Sequence, residues 1–140
     1  GFLAAALFLQ PASLTSSQAQ EAGGGDPVIR IELNTLQPSD AGCRISFVAT
    51  STLPSDLTKA AFEVVLFNGQ GRIERLTVLD FRDLPSNRPR VRQFDLAGAS
   101  CDDISRVLLN GATTCEGSGI AAGACTRIET STTGNVAFSG

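Results

Sequence analysis

Apolar and polar residues alternate along much of the chain, which is the pattern of β-strands that bury one face. The alternation is cleanest in "VIRIEL", residues 28–33, and in "CRISFVA", residues 43–49. Successive side chains of a strand point to opposite faces, so each segment predicts a core side and a solvent side. The positions expected on the core side are Ile29, Ile31, Leu33, Cys43, Ile45, Phe47 and Ala49.

The segment "AFEVVLFNGQGRIERLTVL", residues 61–79, predicts a β-hairpin. Two apolar arms flank Asn68-Gly69, and Asn-Gly supplies the positive backbone angles that tight hairpin turns require. In the first arm both faces are apolar, with Phe62, Val64 and Leu66 on one and Val65 and Phe67 on the other. Such an arm indicates a central strand or a strand that is covered on both faces.

The remaining segments are short and are separated by turn residues. We expect "RDLPSNRPR", residues 82–90, to be a loop and "VRQFDL", residues 91–96, to be a strand. The segment "CDDISRVLL", residues 101–109, fits either a bulged strand or a short helical turn that leads into a strand. The segment "TRIETSTTGNVAF", residues 126–138, predicts a final strand or a pair of strands. About seven short strands predict an all-β fold, a small antiparallel immunoglobulin-like β-sandwich over residues 28–140.

The N-terminal stretch has the features of an export signal. Phe2 to Leu9 form an unbroken apolar run of eight residues, whereas a helix that crosses a bilayer needs about 20. Small and polar residues follow, so cleavage is expected after Ala19. A buried N-terminal helix is the alternative, which Pro11 and the polar run after it disfavour. We expect residues 1–19 to be a signal peptide that lacks its start, residues 20–27 to be a flexible linker, and the mature protein to be periplasmic or secreted without a transmembrane segment.

Four cysteines in an exported chain favour two disulfides. The chain has no His and no CxxC pair, which argues against zinc and against thiol redox chemistry. The nine residues between Cys115 and Cys125 include three glycines and can curl back, so these two cysteines can close a loop. Cys43 would then pair with Cys101, because a core-facing Cys43 is well placed to form a disulfide that links the two sheets. In the chain-entropy model the short loop contributes roughly 2.5–3 kcal/mol and the long one about 4 kcal/mol.

Composition also narrows the chemistry. The net charge is −3, which gives no electrostatic case for nucleic-acid binding. The chain has no His, the commonest general base, and no Tyr, an easily tuned acid. A Ser nucleophile would depend on Lys59, the sole lysine, as its base. We therefore expect no enzyme and no cofactor, with an enzyme of unrecognised type as a minor alternative. The carboxylates Asp80, Asp83, Asp102 and Asp103 are expected to be a solvated edge or turn caps, with ion binding as the alternative.

Two segments are candidates for binding. In "RPRVRQF" the residues Arg88, Arg90 and Arg92 are two apart, so an extended chain would line them up on one face, where arginine forks suit carboxylates or phosphates. The alternative is that they are edge-strand charges that discourage aggregation. A bulge or twist must intervene if Phe94 and Leu96, which share their phase, are core residues. In the Cys115–Cys125 loop, Ile120 is the candidate apolar anchor.

The chain resembles a family of uncharacterised exported bacterial proteins. The resemblance is carried by "CR" at Cys43, "VVLFNGQGRI", the "LP" before a basic strand, "FDL", "CDDISRVLLN" and the Cys115/Cys125 pair. It implies a small β-sandwich with four cysteines, associated with inner-membrane energy-transducing proton-channel systems of the biopolymer-transport type. It supplies no catalytic residue.

The first functional hypothesis is therefore a non-catalytic periplasmic accessory or protein-binding domain, with a protein as its partner. The alternative is a β-sandwich that binds a small ligand or ion through the acidic residues or the arginine strip.

Overall fold

The computed structural model describes residues 1–13 and 25–140. Residues 1–13 form no helix or strand and are exposed. The predicted cleavage site after Ala19 and most of the predicted linker lie outside the described residues. In the described part there are eight strands: β1 (Ile29–Pro38), β2 (Gly42–Ser51), β3 (Lys59–Phe67), β4 (Ile73–Asp80), β5 (Arg90–Ala97), β6 (Arg106–Glu116), β7 (Ile128–Thr132) and β8 (Ala137–Ser139).

The strands form two four-stranded sheets. The order in the first sheet is β5-β2-β1-β7, and in the second it is β4-β3-β6-β8. The predicted all-β, disulfide-stapled sandwich is confirmed. It is not antiparallel throughout, because β7 runs parallel to β1 and β8 runs parallel to β6. The last segment forms two short strands in different sheets, so residues 25–140 form eight strands where about seven were expected. In the first sheet, β1, β2 and β5 are neighbours in the same order as strands A, B and E of an immunoglobulin domain. In the second sheet, β4, β3 and β6 are in the order of strands C′, C and F.

The core lies between the two sheets. The predicted alternation of β1 and β2 is confirmed, because all seven of the expected core-side residues are buried. Five phenylalanine rings meet in the centre, with pairs of ring centroids 5.2–6.1 Å apart. Tilted and edge-to-face rings at this spacing add to the stabilisation from area burial. The rings belong to Phe47, Phe62, Phe81, Phe94 and Phe138.

The hairpin between β3 and β4 is confirmed, but its turn differs from the predicted one. Gly71, not Gly69, has the positive backbone angle, with φ 75°. The side-chain oxygen of Asn68 accepts hydrogen bonds from the backbone N–H groups of Gln70 and Arg72, both at 3.0 Å. The N–H of Gly71 also donates to the carbonyl oxygen of Asn68 at 3.0 Å. Asn68 thus organises a longer loop, which shifts the left-handed position two residues along the chain.

Of the two interpretations of residues 101–109, the helical turn is confirmed. Cys101–Asp103 form a 3₁₀ turn that leads into β6. Cys101 is bonded to Cys43 of β2, with the Cα atoms 5.1 Å apart. This disulfide ties the first sheet to the segment that enters the second. A second 3₁₀ turn spans Ala124–Thr126, and no helix in the described residues is long and apolar enough to cross a membrane.

Candidate interaction surfaces

The three arginines of the predicted strip do not share one exposed face. Arg88 is exposed in the loop before β5, Arg90 is half-buried at the start of β5, and Arg92 is only 8% exposed. β5 pairs with β2 from Arg90 to Ala97 without a register shift. The expected bulge is therefore absent, and Arg92 points inward with Phe94. The prediction of a single exposed strip is wrong for Arg92, and a binding role for Arg88 and Arg90 stays a prediction.

Arg92 has a structural role at one end of the sandwich. Its Nε donates a hydrogen bond to the carbonyl oxygen of Phe81 at 2.5 Å. Its Nη2 donates to the carbonyl oxygen of Asp83 at 2.7 Å and lies 3.3 Å from the Asp83 carboxylate. Burial lowers the pKa of the guanidinium, which nevertheless stays protonated. The side chain thereby fixes the segment after β4 against the first sheet.

The second predicted disulfide is present and closes the predicted loop. Cys115, near the end of β6, is bonded to Cys125 in the second 3₁₀ turn, with the Cα atoms 5.9 Å apart. A Cβ at Gly117 would collide with the carbonyl oxygen of Asp56 and approach the Ile120 side chain to 2.8 Å. Only glycine fits where the loop crosses the segment that precedes β3.

Ile120, the candidate apolar anchor, is half-buried and packs against the core, and its role in binding stays a prediction. It lines an open groove of about 460 Å³ together with Leu53, Pro54 and Ala121. Asp26 and Arg127 also line this groove, and their side chains form an ion pair at 2.6 Å. Most of the residues that line the groove are therefore apolar or glycine, and a charged pair and Thr126 lie among them.

The four aspartates considered for ion binding are not brought together. Asp80 lies opposite Ala61, at one end of the β3–β4 ladder. Asp103 lines a cavity together with Arg75, and Arg75 lies opposite Leu66, towards the other end of that ladder. Among the described residues, no group of three or more His, Cys, Asp and Glu side chains could hold a metal ion. The predicted acidic cluster is thus divided between two ends of the molecule.

The outer face of the first sheet is mostly polar, with Val91 as an exposed apolar residue, and it carries cross-strand ion pairs. Arg44 on β2 contacts Asp95 on β5 at 3.0 Å, and Arg30 on β1 contacts Glu129 on β7 at 3.0 Å. The hydrogen bond from Arg44 holds the pKa of Asp95 below its ordinary value. These exposed charges are paired with opposite charges on neighbouring strands, which stabilises a solvent-exposed face of a sheet.

The outer face of the second sheet carries a cluster of apolar side chains, beside Glu63, which lies opposite Val78. On the edge strand β4, Ile73, Leu76 and Val78 are 62%, 55% and 52% exposed. Val65 on β3 lies opposite Leu76 and Leu108, and it is buried at 4% exposure although it is not part of the core cluster. We call this surface the apolar outer face; it consists of Val65, Phe67, Ile73, Leu76, Val78 and Leu108.

One basic residue lies over this face. Arg106 of β6 is opposite Phe67, and its guanidinium carbon is 3.9 Å from the centre of the Phe67 ring. This cation–π contact leaves a charge at the border of the apolar surface.

Sequence reasoning did not identify the apolar outer face as a binding candidate. The signal was present in β3, whose second face carries Val65 and Phe67. An arm that is apolar on both faces indicates a central strand or a strand that is covered on both faces. β3 is indeed central in its sheet, but its outer side is covered only by its own neighbours in the described part of the chain.

Comparison with known proteins identifies no family. No protein-family model matches the chain, and no curated protein matches it. Among solved structures, the Salmonella enterica trimeric lipoprotein SadB is similar at 17% identity, with a TM-score of 0.43. The similarity covers 50% of this chain and 40% of that chain. At this level the similarity assigns neither a shared fold nor a shared function.

Proposed function

We propose that this chain is an exported, non-catalytic protein-binding domain that contacts other proteins through the apolar outer face. The observation that carries the proposal is the group Ile73, Leu76 and Val78, each more than half exposed on one edge strand. Contiguous exposed apolar surface in a small domain marks sites of protein–protein contact. The polar outer face of the first sheet provides the contrast within the same molecule.

Export is supported by the apolar N-terminal run and by two disulfides, which form in oxidising compartments. We place the domain in the periplasm, in an accessory role beside an inner-membrane energy-transducing complex. The support for this assignment is the resemblance to the family of exported proteins described above.

The test is site-specific photo-crosslinking in intact cells, with the photoreactive residue at position 76. The matched control is position 91, because Val91 is also on an edge strand and is 59% exposed. We expect discrete cross-links to an envelope protein from position 76 and none from position 91. The same pattern from both positions, or no cross-link from either, would contradict the proposal.

A second candidate function is binding of a small apolar ligand in the groove beside Ile120. Its volume of about 460 Å³ is within the range of ligand sites. Ligand-dependent thermal stabilisation that disappears in Ile120→Asp but persists in Leu76→Asp would favour this candidate.

A further inference from the structure

A cavity of about 220 Å³ lies at the end of the sandwich that contains the turn between β3 and β4. Two of the side chains that line it, Leu66 and Ile104, are buried and apolar. Charged side chains of both signs also line it, namely those of Glu74, Arg75 and Asp103. One water occupies about 30 Å³ in the liquid, so the cavity has room for about seven non-hydrogen atoms. A concave space with an apolar part and a few convergent polar groups is typical of a small-molecule site.

Two adjacent residues of β4, Glu74 and Arg75, both line this cavity, although successive side chains of a regular strand point to opposite faces. A bulge in β4 accounts for this. In the ladder with β3, Phe67 lies opposite Ile73, and the preceding residue, Leu66, lies opposite Arg75. Glu74 is therefore an extra residue in β4. Bulges redirect side chains and are frequent beside functional sites, and this one lets β4 present an anion and a cation to the same space.

Uncharged partners hold both of these side chains in place. Nη2 of Arg75 donates a hydrogen bond to the carbonyl oxygen of Ala97 at 2.6 Å, which leaves its other N–H groups available, since a guanidinium has five. Nδ2 of Asn68 donates to one carboxylate oxygen of Glu74 at 2.8 Å. Among residues 1–13 and 25–140, neither Arg75 nor Glu74 forms an ion pair. Their contacts within the chain thus orient the two charges without neutralising them.

The opposite wall of the cavity includes Asp103, the last residue of the first 3₁₀ turn. The backbone N–H of Asp103 donates to the carbonyl oxygen of Ser100 at 3.1 Å. The disulfide between Cys101 and Cys43 ties the same turn to β2. The Asp103 side chain is exposed and forms no ion pair with a residue in the described part of the chain. The position of this second carboxyl group is therefore fixed before any ligand arrives.

We propose that this cavity, which we call the zwitterion site, binds a free α-amino acid with a small apolar side chain. The ligand carboxylate contacts the guanidinium of Arg75, whose paired N–H groups match its two oxygens. The ligand ammonium lies between Glu74 and Asp103, and the ligand side chain contacts Leu66 and Ile104. The described residues contain no group of three or more metal-ligating side chains, and the guanidinium of Arg75 in the same space would repel a metal ion.

This inference goes beyond the proposed function and does not depend on it. The zwitterion site lies between β4 and the segment that follows β5, and none of the residues of the apolar outer face lines it. Photo-crosslinking from position 76 tests the outer face alone, whereas the two experiments below test the zwitterion site alone. The failure of either proposal is therefore distinguishable from the failure of the other.

The first experiment is calorimetric titration of the protein, with both disulfides formed, with L-alanine and L-valine. Two analogues of L-valine each lack one charge: 3-methylbutanoate has no ammonium group, and isobutylamine has no carboxylate. We expect saturable binding of at least one of the two amino acids. Each analogue should bind at least about tenfold more weakly than L-valine, because a hydrogen bond to a charged group is lost. No saturable binding of either amino acid, or an analogue that binds as tightly as L-valine, would overturn the inference.

The second experiment compares variants of the site with matched neighbours. Arg75→Met and Asp103→Asn should each weaken binding of the amino acid about tenfold or more. The controls Arg72→Met and Asp102→Asn should leave it unchanged, because both residues are exposed and neither lines the cavity.

A further measurement separates recognition from folding. Arg75→Met should bind isobutylamine no more weakly than the wild-type protein does, since this ligand has no carboxylate for Arg75 to contact. Circular dichroism checks that each variant is folded, and Asp103→Asn alone tests the site if Arg75→Met does not fold. Equal losses of amino-acid binding in the controls and the site variants, or no loss in a folded site variant, would overturn the assignment.

Discussion

At the scale of single residues, Gly71 determines the hairpin between β3 and β4. Its φ of 75° is in the left-handed region, and open space surrounds the position of a Cβ. The constraint on Gly71 is therefore conformational and not steric. Gly69 is also surrounded by open space but lacks a positive φ, so the two glycines of one turn form a matched pair.

We predict that Gly71→Val lowers the free energy of unfolding by about 1–3 kcal/mol, because a β-branched residue resists a positive φ. Gly69→Val should change it by less than about 0.5 kcal/mol, as for an ordinary surface position. Urea denaturation of both variants measures the difference. Equal midpoints would show that the left-handed position is not at Gly71.

Arg92 is the second residue whose role is determined by its surroundings. Removing its side chain leaves the buried carbonyl oxygen of Phe81 and the partly buried carbonyl oxygen of Asp83 without their donor. Arg88, four residues earlier, is exposed in a loop. Arg92 therefore has a structural role, whereas Arg88 of the same short segment is a surface residue.

Arg92→Ala should destabilise the protein by about 2–4 kcal/mol, since buried acceptors lose a charged donor. Arg88→Ala should change the stability by about 0.5 kcal/mol or less. Denaturant titrations of both variants provide the comparison. Similar small losses in the two would mean that water replaces the Arg92 guanidinium at no cost.

At the scale of elements, the Cys115–Cys125 loop shows how a disulfide and a glycine cooperate. The bond holds the ends of the loop, and Gly117 lets its first residues pass directly over the carbonyl oxygen of Asp56. Gly123 lies in the same loop, has no positive φ and has open space at its Cβ position. The loop is thus closely packed at Gly117, whereas a side chain fits at Gly123.

Gly117→Ala is expected to displace the loop from the segment before β3, because the new methyl group would overlap backbone atoms. The unfolding free energy should fall by about 1–3 kcal/mol, and hydrogen exchange at the Thr58 amide, which donates to Glu116 at 2.8 Å, should accelerate. Gly123→Ala should leave both unchanged. Slow exchange at Thr58 in Gly117→Ala would contradict the packing described here.

At the scale of the whole molecule, two disulfides constrain very different lengths of chain. Cys43–Cys101 spans a sequence separation of 58, and Cys115–Cys125 spans a separation of 10. A longer closed loop restricts the unfolded chain more strongly. Each bond has one buried cysteine in the core, Cys43 in the first and Cys125 in the second.

Replacing Cys43 and Cys101 together by Ala should cost about 4 kcal/mol of stability, and replacing Cys115 and Cys125 together should cost about 3 kcal/mol. Guanidinium denaturation of the two double variants measures both losses. A larger loss from the Cys115/Cys125 pair would show that closing the local loop matters more than restricting the unfolded chain.

The sequence alone determined the features that depend on local pattern. Period-two alternation assigned Ile29, Cys43 and Phe47 to the core side, because the side chains of a strand must alternate between faces. Cysteine count and spacing were sufficient for the pairing, since Cys115 and Cys125 are close enough in the chain to close a loop. The separation of Asp80 from Asp103 was not predictable from the sequence, because the positions of different elements relative to one another are set only in the folded chain.

Only the tertiary structure decided the features that depend on distant neighbours. Alternation places Arg92 in phase with Phe94, but only the carbonyl oxygens of Phe81 and Asp83 make an inward guanidinium acceptable. The parallel placement of β7 and β8 depends on free sheet edges that the local sequence does not encode. For Val65 and Leu76, the pattern shows that a second face is apolar. Whether another layer covers that face depends on which elements pack there, because burial is a property of the assembled chain and not of the strand.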